Sequence, residues 1–226
     1  MEGSLQSRKR QLVKDAIYEA AIDLFATKGF DETTVEELAE AAGVSRRSFF
    51  RYFETKDDLL ALNTVNCGNV LRKKVESCPT DLGPLEVVRE TVSAGVKFTE
   101  AQRLTRKIIQ ITQRSTSARQ AHMSRLMEVH DKLSSAYSAQ MKVSSKDFLR
   151  PFLLAGMTQL VINAATGSWF MGEHKTLSSA VEQALLDLTE LFGNESTIAP
   201  LEASSAGDKT PAPKGQKNLR NGKRKK

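Results

Sequence analysis

The sequence predicts an all-α protein, a small three-helix N-terminal unit followed by a larger helical body. Three observations lead there. Apolar residues recur at three- and four-residue spacing through most of the chain. Capping-box signals for helix starts stand ahead of several of these stretches. No Val/Ile/Thr-rich alternation suggests a sheet. With 226 residues, 40% apolar and 27% charged, the chain suits one large or two small globular domains. No apolar run approaches the ~18 residues of a membrane span. MEGSLQSRKRQ lacks the apolar core of a signal peptide, so a cytoplasmic location without membrane contact is expected.

Val13, Ile17, Ala20, Ala21, Leu24 and Phe25 form one stripe, predicting a helix over about residues 9 to 28 with Gly29 as its C-terminal cap. In FDETTVEELAEAAGV, Thr33 or Thr34 with Glu36 or Glu37 three residues on forms a capping box. A helix over about 34 to 42 follows, with Val35, Leu38, Ala39 and Ala42 buried and Gly43 as its stop. Ser45 caps a third short helix, about 46 to 52, and Thr55 with Asp58 caps a fourth reaching about residue 77. Residues 79 to 83, PTDLG, read as a loop, and Pro84 suits the first position of a helix to about residue 99. Further helices are expected at about 101–114, 117–141, 145–171 and 177–192, with Pro151 bending or restarting the third of these. The expected organisation is an N-terminal domain over 9–55, a helical body over 56–193 and a disordered basic tail over 194–226. Residues 200 to 226 hold eight Lys/Arg against Glu202 and Asp208, which accounts for the chain's whole net charge of +6. The preceding 199 residues carry 25 charges of each sign, so any case for nucleic-acid binding by the folded part has to come from a motif.

That motif lies at about 34–53: a short helix, a glycine-containing turn and a second short helix, the spacing of a helix-turn-helix. In SRRSFFRYF, Phe49, Phe53 and Val44 fall to one side and close a small core. Arg46, Arg47 and Ser48 lie at the exposed N-terminal end with Arg51 a turn on, where this motif reads base edges in the major groove. Tyr52 and Lys56 project toward flanking phosphates, and the helix N-termini at Thr34 and Ser45 offer phosphates backbone donors. Arginines on an exposed face are more often plain solvated surface; the capping box, the turn and the preceding amphipathic helix reverse that balance.

Residues 9 to 62 resemble the N-terminal domain of TetR-family transcriptional regulators, on AIDLFATKGFDETTVEELAEAAGVS, the aromatic-rich recognition helix and F-x-x-K-x-x-L after it. The resemblance implies an all-helical homodimer: three helices bind DNA, and a fourth connects them to a ligand-binding and dimerisation domain. It places Arg46, Arg47 and Ser48 on base-reading positions, Phe50 and Tyr52 on positions touching the DNA backbone, and Lys56 on a phosphate-binding lysine. Phe50 departs from the family's more frequent tyrosine and lacks the hydroxyl. Arg8, Lys9 and Arg10, ahead of the first helix, read either as a DNA-reaching arm or as a solvated terminus.

In the body, FLRPFLLAGMTQLVINAATGSWFMG and TLSSAVEQALLDLTELFG carry small residues and apolar stripes. Gly156, Leu160, Val161, Ala164, Val181, Leu185, Leu188 and Phe192 are expected at the family's four-helix dimer interface, though such stripes also serve monomer cores. A symmetric dimer predicts an inverted-repeat operator in double-stranded DNA. For a partly apolar small-molecule effector the candidate lining is Phe98, Ile109, Gln113, His122, Met123, Leu126, Met127 and Trp169, although methionine at these spacings equally reads as core. No metal site or cofactor is expected: His122 and His130 are eight apart without a third ligand, and Cys67 and Cys78 belong to no metal-binding pattern. Cys67 reads as a buried thiol, with an oxidant sensor as the alternative. No nucleophile elbow or phosphate-cradling glycine loop suggests an enzyme. A ligand-responsive repressor is the leading expectation; a constitutive or nucleoid-type DNA-binding protein, favoured by the basic tail, is the alternative.

Overall fold

The computed structural model describes residues 2–144 and 147–193, and every regular element within them is an α-helix. In chain order these are α1 (Glu2–Thr27), α2 (Val35–Ala41), α3 (Arg46–Phe50), α4 (Lys56–Ser77), α5 (Pro84–Glu100), α6 (Thr105–Arg114), α7 (Thr116–Gln140), α8 (Leu149–Met171) and α9 (Leu177–Gly193). The expected tail over 194–226 and the side chain of Phe192 lie outside what is described.

The start signals act as expected. Thr34 and Thr55 each close a capping box, with Glu37 and Asp58, and Pro84 opens α5. Four boundaries differ by two residues or more. α1 begins at residue 2 rather than 9, because no proline interrupts its polar first turns, although its first fully buried side chain is Ile17. α3 stops at Phe50, two residues early. α6 begins at Thr105 rather than 101, since a turn closed by Gln102 N–H on the Thr99 carbonyl intervenes. α8 starts at Leu149 rather than 145, which puts Pro151 in the first turn, where its missing N–H breaks no bond, and the helix runs unbroken to Met171 without restarting.

Two apolar cores form. The N-terminal one gathers Ile17, Ala21, Ile22 and Phe25 of α1, Phe30, Leu38 of α2, and Phe49 with Phe53 around α3. It also takes in Leu59 and Leu60 of α4, Ile108 and Ile111 of α6, and Ala118 of α7. The core of the small domain therefore extends past residue 55 and includes three elements of the body. The second core packs Leu71 and Val75 of α4 and four valines of α5 against Val129, Leu133 and Tyr137 of α7, with α8 and α9 closing it. The Tyr137 hydroxyl, fully buried, shares a 2.7 Å hydrogen bond with Thr158 Oγ1. α4 runs through both cores and crosses α7 at Gly68, where an added Cβ would lie 2.5 Å from Val129 Cγ2.

That crossing predicts that Gly68→Val lowers stability by about 1–3 kcal/mol through overpacking. Val129→Ala in the same chain should recover part of the loss, because it removes both methyls that crowd the site. Urea unfolding of the two single variants and the double variant measures this, and strictly additive losses would refute the close approach.

Candidate nucleic-acid interface and effector cavity

The helix-turn-helix is held by local chemistry that the sequence states openly. The Thr34 side chain accepts from the Glu37 N–H, and the Glu37 carboxylate accepts from the Thr34 N–H at 3.0 Å. The turn after α2 needs a left-handed residue, and Gly43 supplies it at φ 64. The Val44 N–H then bonds the Ala39 carbonyl at 2.9 Å, and Ser45 caps α3 by accepting from the Ser48 N–H at 3.1 Å. Phe49 and Phe53 are buried in the core. The five residues of α3 are thus fixed by a cap at one end and two aromatic anchors beneath.

The outer face is cationic and open. Arg46, Arg47 and Arg51 are exposed, Ser48 and Tyr52 are half-buried, and Phe50 is 43% exposed. Arg46 Nε lies 3.1 Å from Glu36 Oε1, and its guanidinium sits 5.5 Å from the Phe50 ring centroid. The Arg51 guanidinium lies over the Tyr52 ring at 5.2 Å. Lys56 differs from the expectation that it projects outward. Its ammonium donates to the Phe30 carbonyl at 2.7 Å and to those of Asp31 and Thr33 at 3.3 Å, tying down the loop that leads into α2. The Glu37 carboxylate likewise occupies the α2 N-terminus, beside the backbone donors anticipated for phosphate. Arg8, Lys9 and Arg10 lie on α1 itself, exposed on a continuous helix rather than ahead of it.

In the body, α4, α6, α7 and α8 surround a cavity of about 120 Å³, with Thr99 of α5 at its wall. Of the eight expected lining residues it takes Ile109, His122 and Leu126. Phe98, Gln113, Met123, Met127 and Trp169 are elsewhere. Met123 and Met127 are more than half exposed, Gln113 is exposed, and Phe98 is half-buried outside the lining. The Trp169 ring is covered by the Arg106 guanidinium at 4.1 Å. The lining residues missed by sequence reasoning are mostly polar: Asn63, Thr64, Cys67, Gln159, Asn163 and Thr166. Their signal was a polar residue on the inner side of an otherwise apolar helix, and a search for apolar and Met positions passes over it. His122 Nδ1 pairs with Thr64 Oγ1 at 3.0 Å, and burial holds this imidazole below its ordinary pKa of 6.5. Burial also pushes the Cys67 thiol up to about 11, so at neutral pH it is not the thiolate an oxidant sensor needs. Both cysteines are free, and no group of three or more metal-ligating side chains occurs among the described residues. No helix among them is long and apolar enough to cross a membrane.

Comparison with known proteins fits this geometry. The family described as "Bacterial regulatory proteins, tetR family" matches residues 17–62, which covers the whole helix-turn-helix and the start of α4. The regulator TcmR of Streptomyces glaucescens is 25% identical over 201 residues, 84% of this chain and 89% of that protein. RutR of Escherichia coli K12 is 31% identical over 87 residues, 38% of this chain and 41% of its own. Residues 17–62 carry the N-terminal domain of the TetR family of transcriptional regulators. The likeness extends to the whole fold. A TetR-family structure from Syntrophomonas wolfei superposes with a TM-score of 0.62 at 16% identity, over 84% of this chain and 99% of that one. NalD of Pseudomonas aeruginosa, a secondary repressor of a multidrug efflux pump, gives 0.57 at 20% identity over 80% and 96%.

The residues expected at a dimer interface divide. Val161 and Val181 are buried in the chain's own core, Leu185 and Leu188 pack against that core, and Gly156 faces His130. Leu160, 62% exposed, and Ala164 remain on the surface, in line along α8 with exposed Leu149, Leu153 and Met171. α8 is apolar on nearly all sides, so its sequence could not say which side faces out.

Glu37 carries a pH consequence. Its hydrogen bond from Lys28, then its bonds from Thr34, lower its carboxyl pKa from 4.5 to about 2. A depressed carboxylate contributes stability that is present above the unfolded value and lost as pH falls through the folded one. The N-terminal domain should therefore lose stability between pH 4.5 and about 2. An acid titration of urea midpoints followed by circular dichroism should show this loss, and Glu37→Gln should flatten it.

Proposed function

We propose that this TetR-family regulator is a homodimeric repressor that holds an inverted-repeat operator and releases it when a partly apolar small molecule enters the cavity between α4, α6, α7 and α8. The observation that carries the reading is the exposed cationic face of α3, held rigid from below by buried Phe49 and Phe53. Arg46, Arg47 and Ser48 read base edges in the major groove. Phe50, Arg51 and Tyr52, with the helix starts at Thr34 and Ser45, follow the sugar-phosphate backbone. Lys56 serves the same surface by fixing the loop before α2. Dimerisation through the exposed α8 stripe sets the two recognition helices about 34–36 Å apart, one turn of DNA.

Coupling has a candidate carrier in α6. Ile108 lines the cavity and also belongs to the N-terminal core, and Ile111 one turn on lies in that core too. A ligand that displaces Ile108 necessarily disturbs the packing under α1, and with it the placement of α3. The reading meets the sense of allostery only if ligand and DNA weaken each other reciprocally.

The test is binding of the full chain to DNA flanking its own gene, across a salt series, by fluorescence anisotropy. Arg46→Ala and Arg47→Ala should each cost about 1–3 kcal/mol, ~5- to 150-fold in Kd, at the cognate repeat. Weak binding to any duplex, indifferent to both substitutions and abolished by salt, would instead favour a constitutive nucleoid-type protein. For the dimer, Leu160→Glu should yield a monomer in size-exclusion chromatography with light scattering and weaken operator binding. A stable dimer in that variant would place the interface elsewhere.

A further inference from the structure

The cavity around His122 has a chemistry of its own. None of its sixteen lining residues is Lys, Arg, Asp or Glu. The cations near it are committed elsewhere: Arg125 pairs with Asp58 at 2.7 Å and Glu128 at 2.6 Å, and Arg106 lies over Trp169. A carboxylate or ammonium placed here would lose its hydration without gaining a counter-ion. Hydrogen-bonding capacity is present and unspent. With Nδ1 engaged by Thr64, His122 Nε2 has no protein partner among the described residues. Gln159 donates its amide N–H to the Leu126 carbonyl at 2.8 Å, which fixes the amide and leaves its oxygen to accept. The side chains of Asn63, Asn163 and Thr166 bond no other described residue. Ile108, Ile109, Leu126 and Ile162 supply the apolar remainder.

We infer that this cavity selects an uncharged ligand, an apolar ring or chain bearing both hydrogen-bond donor and acceptor groups, oriented by His122, Gln159 and Asn163. The inference rests on the effector role proposed above and names its ligand class. At about 120 Å³ the cavity is a little smaller than the engineered apolar cavities of about 150 Å³ that take benzene, so it suits one ring whose substituent reaches its mouth beside exposed Asn163.

Four probes of one size separate the possibilities: benzamide, benzoate, benzylamine and toluene, each titrated against the full chain at pH 7 by ligand-observed NMR and thermal shift. Benzamide should bind saturably and at least about tenfold more tightly than either charged probe. His122→Phe should weaken benzamide while leaving toluene unchanged, and Asn163→Leu, near the protein surface, repeats the test where folding is not at stake. Benzoate or benzylamine binding as well as benzamide, toluene binding alone, or no probe binding would each overturn the inference. Operator affinity measured in parallel separates it from the effector reading. Benzamide that binds with no change in operator affinity keeps the ligand class and removes the effector role, whereas a charged molecule that binds in this cavity and releases the operator does the reverse.

Discussion

The N-terminal domain does not close its core with its own residues, and the packing of Ile108, Ile111 and Ala118 into that core is the contact on which the rest depends. α2 and α3 have seven and five residues, below the length at which helices persist unaided in water. Caps at Thr34 and Ser45 settle where they begin but supply only about 1 kcal/mol each. Apolar burial has to do the remainder, and five of the side chains that provide it, Leu59, Leu60, Ile108, Ile111 and Ala118, belong to the body.

Polar contacts cross the same seam. Lys107 meets Asp23, Arg103 meets Glu19, and the Ser115 hydroxyl donates to Asp31 at 2.7 Å. Most of these side chains are largely exposed, where an ion pair contributes ~0–1 kcal/mol. Their role is register: they fix which turn of α1 faces which turn of α6, while the apolar contact supplies the energy.

How much of this was legible follows from the scale of the interactions. Thr34, Gly43, Ser45 and Thr55 act within four residues of themselves, so the boundaries of α2 and the starts of α3 and α4 were open to reading. Phe49 and Phe53 were legible as anchors because their spacing leaves no other side to bury. The inward turn of the Lys56 ammonium depends on carbonyls some 25 residues earlier, and no local pattern announces it. The cavity lining depends on helices brought together across a hundred residues. There the local guide, that apolar means inside, pointed to Met123 and Met127 on the surface and away from Asn63 and Gln159. On α8 the guide failed differently: apolar residues on all sides left Val161 and Leu160 indistinguishable, although one is core and the other open.

The pairing of Arg46 with Glu36 gives the recognition surface a resident competitor. Before any nucleic acid arrives, the guanidinium already has a carboxylate oxygen and an aromatic face. On the DNA-reading role proposed for Arg46, contact with a base is an exchange, carboxylate for purine edge, rather than capture by an idle cation. A wrong duplex that offers only a phosphate gives Arg46 little it lacks; a correctly placed guanine offers two acceptors in the plane of the guanidinium. Added salt screens the internal pair along with the external one, so this arginine contributes less to the ionic-strength dependence of binding than its charge suggests. On that same proposal, a surface carboxylate that looks like a blemish on a cationic face sets a small threshold against residence on sequence the helix is not built to read.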